Sequence, residues 1–271
     1  MPQTLSNIDP DALFTLLKGE PGTRKSTAAL SYPLPQYWVS SDQKMEALAL
    51  PARKWGIDTT KIEFDDYTDW DKPRQKLELF ETNCKFKTVI VDSITSIGDG
   101  MNRQVQKRKG ANAYTIGGIS VNTIEDYKAE ASAFQEMMAL LNSIRKYHKI
   151  QIVIIAHVVG QRKSDDANKL THHSRVLVTG GDKIGAKISA YATEAYHLNV
   201  KPGVTEDTGG DYTAITAHSG NDYARTCLDL PREIVFNNDP LFTKWIGPAI
   251  QKFKAGRKSE VPVNPPSNLS V

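Results

Sequence analysis

Residues 19–27 read Gly19-Glu20-Pro21-Gly22-Thr23-Arg24-Lys25-Ser26-Thr27, close to the phosphate-gripping pattern G-x-x-x-x-G-K-[ST]. In that pattern loop N–H groups surround phosphates, a lysine reaches the β- and γ-phosphates, and a hydroxyl meets Mg²⁺. Lys25 and Ser26 hold the last two positions. Arg24 stands where the second motif glycine is expected. Glycine there keeps a Cβ away from the phosphates. The sequence leaves two outcomes open: Arg24 weakens nucleotide binding, or it adds a charge that grips the phosphates.

A second chemical signal follows. The run Val89-Ile90-Val91 ends in Asp92-Ser93. An apolar strand closing on an acid places that acid at the carboxyl edge of the sheet, where open α/β folds bind ligands. Alone, such an Asp reads equally well as a turn residue. With the 19–27 loop it reads as a Mg²⁺ partner beside Ser26.

The elements that must position these groups alternate. Leu13–Leu17 reads as a strand buried on both faces, and Lys25–Ser31 as a helix stopped by Pro33 and Pro35. Tyr37–Ser40 is a strand, then a helical stretch within Asp42–Trp55 has Pro51 as a candidate break. Lys61–Phe64 is a third strand, Asp71–Asn83 a helix, Lys87–Asp92 a strand. Tyr127, Ala131, Phe134, Met138, Leu141 and Ile144 recur at helical spacing after a Thr123/Asp126 capping start. Ile150–Ala156 is a buried strand, and Ala195–Val200 with Tyr212–Ala217 reads as an antiparallel hairpin. The expectation is an α/β domain: a mostly parallel sheet flanked by helices, with antiparallel C-terminal strands. Residues 1–10 read as a lead-in, 11–251 as one domain, and 252–271 as a basic, Pro/Ser-rich disordered tail.

Composition narrows the function classes. The 271 residues are 39% hydrophobic and 24% charged, as expected of a soluble globular chain. Lys and Arg exceed Asp and Glu by only three, so a nucleic-acid site must be a local patch. Cys84 and Cys227 make no disulfide framework and suit a reducing cytoplasm. The pair His172 and His173 has no Cys or carboxylate at zinc spacing. The longest apolar run, Ile150–Val159, is far short of the roughly 20 residues of a membrane span, and no signal peptide is visible.

The 19–27 loop, the Val89–Ser93 strand end continuing into Ile94-Thr95-Ser96, and their order make the chain resemble the RecA-type recombinase core. Within that group it is similar to small phage ATPases associated with single-strand annealing. The likeness covers about residues 11–235. It implies ATP and Mg²⁺ as cofactors and a P-loop ATPase activity, slowed if Arg24 obstructs turnover. Ile152-Val153-Ile154-Ile155-Ala156-His157 resembles the strand whose terminal polar residue senses the γ-phosphate, so the resemblance assigns that role to His157. Tyr37-Trp38-Val39-Ser40-Ser41-Asp42 resembles the segment that delivers a catalytic carboxylate. Asp42 is one methylene shorter than the family's usual Glu and reads equally well as a helix cap. Tyr223-Ala224-Arg225-Thr226 resembles a segment where Arg225 touches nucleotide at a subunit interface, with a surface ion pair as the alternative.

The resemblance also implies two DNA-facing loops. Met101–Ile124 carries Arg103, Lys107, Arg108 and Lys109 with no acid, and Tyr114 as its stacking group. Val158–Lys187 carries Arg162, Lys163, Lys169, Arg175, Lys183 and Lys187, and its Val178-Thr179-Gly180-Gly181 resembles the recombinase's second DNA loop. The expected partner is single-stranded DNA, bound with little sequence preference. A homo-oligomer is a further expectation, although the helix and strand by which full-length recombinases polymerise are not evident. The rival readings are an ATPase loader or motor that meets a replication protein through the tail, and a nucleotide-binding module without turnover.

Overall fold

The computed structural model describes residues 10–116, 119–164, 170–177, 188–201, 210–218 and 223–259. In chain order the strands are β1 (Phe14–Gly19), β2 (Gln36–Ser40), β3 (Ile62–Asp66), β4 (Thr88–Asp92), β5 (Thr115–Ile116), β6 (Ile119–Ser120), β7 (Gln151–Ser164), β8 (Leu170–Leu177), β9 (Glu194–Lys201), β10 (Asp211–Ile215) and β11 (Glu233–Val235). The helices are α1 (Lys25–Leu30), α2 (Ala49–Lys54), α3 (Asp71–Thr82), α4 (Ile94–Lys109), α5 (Ile124–His148) and α6 (Gly247–Ser259). Among the described residues the main sheet runs β11-β10-β9-β1-β7-β4-β2-β3, with β8 paired to the outer part of β7.

The six strands from β9 to β3 are parallel, and β10 and β11 add antiparallel strands at one edge. Both sheet faces are covered. Phe14, Leu16, Val89, Val91, Ile152 and Ile154 pack under α3, α4 and α5, through Leu77, Ile94, Phe134, Met138 and Leu141. Leu17, Trp38, Ile90, Val153 and Ile155 face the other way, against α1 and the Leu241–Ile250 segment. Burial on both faces is why these strands read as continuous apolar runs.

Several expectations need correction. Met101–Ile124 is not a loop throughout: α4 runs to Lys109, a 3-10 turn spans Gly110–Asn112, and β5 and β6 form a short hairpin. Ser93 caps α4, its hydroxyl accepting the Ser96 N–H at 3.3 Å. Glycines hide this helix from a pattern reading. Gly98 is needed because a Cβ there would lie 3.0 Å from Glu130 Oε1 and 3.1 Å from the Phe134 ring of α5. Close helix approach thus overrides the low helix propensity of glycine.

Val158–Lys187 is likewise not simply a loop. β7 continues past Ala156 to Ser164 and pairs antiparallel with β8, so residues 158–164 and 170–177 form a ribbon. Lys169, Val178–Gly181, Lys183 and Lys187 lie outside the described residues. Helix α6 reaches Ser259, so residues 252–259 are helical rather than part of a disordered tail. Its Phe253 packs on the α1-side core, which the basic composition of the segment conceals. Residues 260–271 lie outside the described residues. Smaller shifts move β1 to Phe14–Gly19 and β3 to Ile62–Asp66, and Pro51 sits in the first turn of α2, where proline is tolerated. Tyr127 is 40% exposed and lies off the core face of α5, whose apolar contacts begin at Ala131 and Phe134.

A buried carboxylate ties the C-terminal segment to the sheet. Glu194, at the start of β9, is fully buried. It accepts the Tyr196 hydroxyl at 2.5 Å, the Thr226 hydroxyl at 2.6 Å and the Cys227 N–H at 2.8 Å. Removing the acceptor strands the buried Tyr196 hydroxyl and two part-buried donors. Glu194→Ala is therefore expected to lose about 2–3 kcal/mol of stability. Urea unfolding followed by circular dichroism measures it, and a loss under about 1 kcal/mol contradicts the anchoring role.

Candidate functional site

Parallel register brings the chemistry to one edge. Gly19 pairs with His157 across β1 and β7, and Ser40 pairs with Asp92 across β2 and β4. β1, β2 and β4 end there while β7 runs on past His157, so the 19–27 loop, Asp42, Asp92 and His157 converge from four separate strands.

The loop is shaped by close approach. A Cβ on Gly19 would collide with the Leu198 carbonyl oxygen and come within 2.7 Å of Thr23 Oγ1. Thr23 donates its hydroxyl to the Glu20 carbonyl at 2.8 Å. Gly22 has φ +82° and open space where a Cβ would be. Lys25, only 5% exposed, donates its ammonium to the carbonyls of Gly19 at 3.0 Å and Glu20 at 2.8 Å. Burial lowers its pKa to about 8, opposed by the charges of Asp92, Asp42 and Glu20. Pro21 is exposed on the loop, and Ser26 and Thr27 open α1.

Asp92, 8% exposed, accepts the Ser26 hydroxyl. Burial raises its pKa to about 6, against that hydrogen bond. Its backbone carbonyl accepts the N–H groups of Ser41 at 2.7 Å and Asp42 at 3.2 Å, which holds the turn after β2 against the end of β4. Burial alone would raise the Asp42 carboxyl too. Hydrogen bonds from His157, Ser96 and Ser93 prevail and hold it well below the usual carboxylate range. Ser93 Oγ donates to Asp42 Oδ1 at 2.9 Å, Ser96 Oγ donates to the same oxygen, and His157 Nε2 lies 3.6 Å from Oδ2. The His157 N–H donates to Thr95 Oγ1 at 3.2 Å. Ser93, Thr95 and Ser96 were not singled out as site residues from the sequence. The signal was the Ser93-x-x-Ser96 cap just before the Ile94, Ile97, Met101 helical spacing.

The structure shows where Arg24 points and how its backbone is set. It has φ 60° and ψ 31°, the left-handed conformation that the motif glycine adopts without strain. Its guanidinium is occupied elsewhere, 3.7 Å from the centre of the Tyr212 ring on β10 and donating to the Asn237 carbonyl at 2.5 Å. A left-handed residue other than glycine costs roughly 1–2 kcal/mol. A guanidinium over a ring contributes about 0.5–2 kcal/mol and a charged hydrogen bond about 1.5–3 kcal/mol, so these contacts can outweigh the strain.

The remaining expected residues are dispersed. Arg225 donates to the Ala190 carbonyl at 3.2 Å and lies over Tyr223. On α4, Arg103 donates to the Thr68 carbonyl, Arg108 pairs with Asp71 at 2.8 Å, and Lys109 pairs with Asp126. Lys107 is exposed. On the ribbon Arg162 sits opposite His173, Lys163 opposite His172, and Arg175 opposite Gly160.

A triphosphate with Mg²⁺ fits these groups. A buried ammonium satisfied only by carbonyl oxygens suits phosphate oxygens, and a buried carboxylate bonded to a serine hydroxyl is a hard oxygen pair suited to Mg²⁺. The strand, the 19–27 loop and the helix that follows are arranged as in a P-loop nucleotide-binding core. The chain belongs to the AAA-domain family, whose model matches residues 13–226. Among solved structures it is similar to flagellar accessory protein FlaH from Methanocaldococcus jannaschii, at 12% identity and TM-score 0.48, covering 84% of this chain and 86% of that one. It is also similar to the RadB recombinase, at 18% identity and TM-score 0.43, covering 76% and 80%. No curated protein matches the chain in sequence. Among the described residues no helix is long and apolar enough to cross a membrane.

The Asp92 shift has a pH consequence. Its folded pKa of about 6 exceeds the ordinary 3.8, so between those values the folded state binds more protons than the unfolded state. Stability without nucleotide therefore falls as pH rises through that window, by up to about 3 kcal/mol. Asp92→Asn is expected to melt above the native chain at pH 7 and to converge with it towards pH 4. Melting curves that stay parallel across this range contradict the assignment.

Proposed function

We propose that the chain binds Mg·ATP at the 19–27 loop, hydrolyses it, and binds single-stranded DNA in phage recombination or annealing. The observation that carries the nucleotide reading is the buried Lys25 ammonium, held by loop carbonyls and flanked by the Ser26–Asp92 pair. Lys25 would hold the β- and γ-phosphates, and Ser26 and Asp92 would hold Mg²⁺, which supplies charge neutralisation on the phosphates. Asp42 stays ionised with two serine hydroxyls on Oδ1, so it would orient water by charge and hydrogen bonding rather than act as a strong proton acceptor. His157 shares that network and begins the outer part of β7, which makes it the natural reporter of the γ-phosphate to the ribbon.

The DNA reading is supported by where cations stand. Lys107, Arg108 and Lys109 end α4, and Arg162, Lys163 and Arg175 lie along the ribbon that continues from His157. The exposed Arg108–Asp71 pair contributes little to stability, so phosphate can replace its acid. Both elements leave strands at the nucleotide edge, which allows ATP to alter DNA affinity.

Hydrolysis and filter-binding assays test both parts. Lys25→Ala is expected to reduce ATP turnover about a hundredfold or more. Native and Lys25→Ala chains with equal turnover would sink the enzyme reading. Single-stranded DNA should bind more tightly with ATP than without, and Lys107→Ala should lower the salt slope by about 0.7. Equal affinity in both nucleotide conditions counts against ATP-dependent DNA binding, and no binding in either removes the DNA role while leaving the ATPase intact.

A further inference from the structure

We propose that Arg24 is a positioning residue: its guanidinium, clamped by Tyr212 and Asn237, sets the phosphate-binding loop from the antiparallel C-terminal strands. The inference rests on the loop holding nucleotide, as proposed above.

The backbone is the first observation. Arg24 holds a left-handed conformation that side chains rarely adopt, and its carbonyl accepts the Ala28 N–H at 2.8 Å to start α1. Lys25 is the next residue, so the peptide plane at Arg24 determines where the ammonium and the first N–H groups of α1 point. A slip of Arg24 towards right-handed angles would re-aim Lys25.

The second observation is the anchor. The guanidinium lies over Tyr212 and donates to Asn237 O and, at 3.4 Å, to Asn238 Oδ1. These acceptors are themselves held. The Tyr212 N–H donates to Asn237 Oδ1 at 2.8 Å, Asn237 Nδ2 donates to Asp211 at 2.8 Å, and Trp55 Nε1 donates to the Asn238 carbonyl at 2.7 Å. The arginine therefore grips a braced corner formed by β10 and the turn after β11, with Trp55 following α2. Its charge is spent on that corner and is not a phosphate ligand.

The consequence is a long-range dependence. In the usual motif the turn is set locally, by a glycine that takes the left-handed angles without tertiary help. Here nucleotide affinity depends on a tyrosine some 190 residues later in the chain. Any partner that displaces the β10–β11 edge would loosen the phosphate site.

The test titrates Mg·ATP into the full chain and its variants by calorimetry, with melting curves in parallel. Arg24→Ala and Tyr212→Leu should each weaken binding about tenfold. The double variant should be no weaker than Arg24→Ala, because both remove one coupled contact. Arg24→Gly should bind severalfold more tightly than Arg24→Ala, since glycine reaches the same angles without the tether. Tyr212→Phe, which keeps the ring, should rescue Tyr212→Leu. A merely structural role moves the melting temperature and leaves the affinity of the folded chain alone. The inference is overturned if the Arg24→Ala and Tyr212→Leu variants bind like the native chain, or if Arg24→Gly is as weak as Arg24→Ala. A native chain that binds no ATP overturns the nucleotide reading and this inference with it. A native chain that binds, with unaffected variants, overturns this inference alone.

Discussion

A lysine ammonium buried at the end of a parallel strand is the constraint that organises this molecule. Such a charge needs oxygen partners in the protein or a ligand that brings them. Here the carbonyls of Gly19 and Glu20 supply them, so the loop must fold back over the side chain that follows it. That fold-back brings the backbone against β9, where only glycine fits at position 19. The carboxylates of Asp92 and Asp42 temper the desolvation of Lys25, and both arrive on strands of their own. The parallel register keeps these strand ends level, and the two-sided apolar core keeps the register.

Beyond the ammonium the site becomes a hydrogen-bond chain. Asp42 gathers Ser93, Ser96 and His157, so three elements meet on one carboxylate. Donors from several directions keep an anion ionised despite partial burial. His157 belongs both to this cluster and to a strand that leaves the domain as a ribbon with β8. The chemistry and the outward-reaching ribbon are thus one continuous piece of backbone, without an intervening loop.

Much of this was legible in the residues. The strand cores Leu13–Leu17, Val89–Val91 and Ile152–Ile155 are apolar on both faces, and that pattern arises only where a sheet is covered on both sides. The Thr123–Asp126 start of α5 is a local cap, and the Asp126 carboxylate accepts the Thr123 N–H at 2.7 Å. Helix α4 is not legible in the residue pattern because Gly98 and Gly100 interrupt it, and the reason for them lies on other elements, at Phe134 and Thr68. The β7–β8 ribbon is not legible locally because residues 161–164 are polar throughout and show no alternation, and their partner strand begins only at Leu170. The helix to Ser259 was hidden behind a basic composition that its packed Phe253 contradicts.

Residue identity alone determined the phosphate-loop spacing, the strand that ends in Asp92 and the alternation of strands with helices, because each depends on neighbours within a few positions. Tertiary structure alone decided that Asp42 is held by two serines and a histidine. It also decided that Arg24 turns to Tyr212 and that Arg108 and Lys109 are engaged by acids. Those contacts join residues far apart in the chain. A side chain's direction depends on which distant partners the sheet register brings within reach, and no local pattern records that.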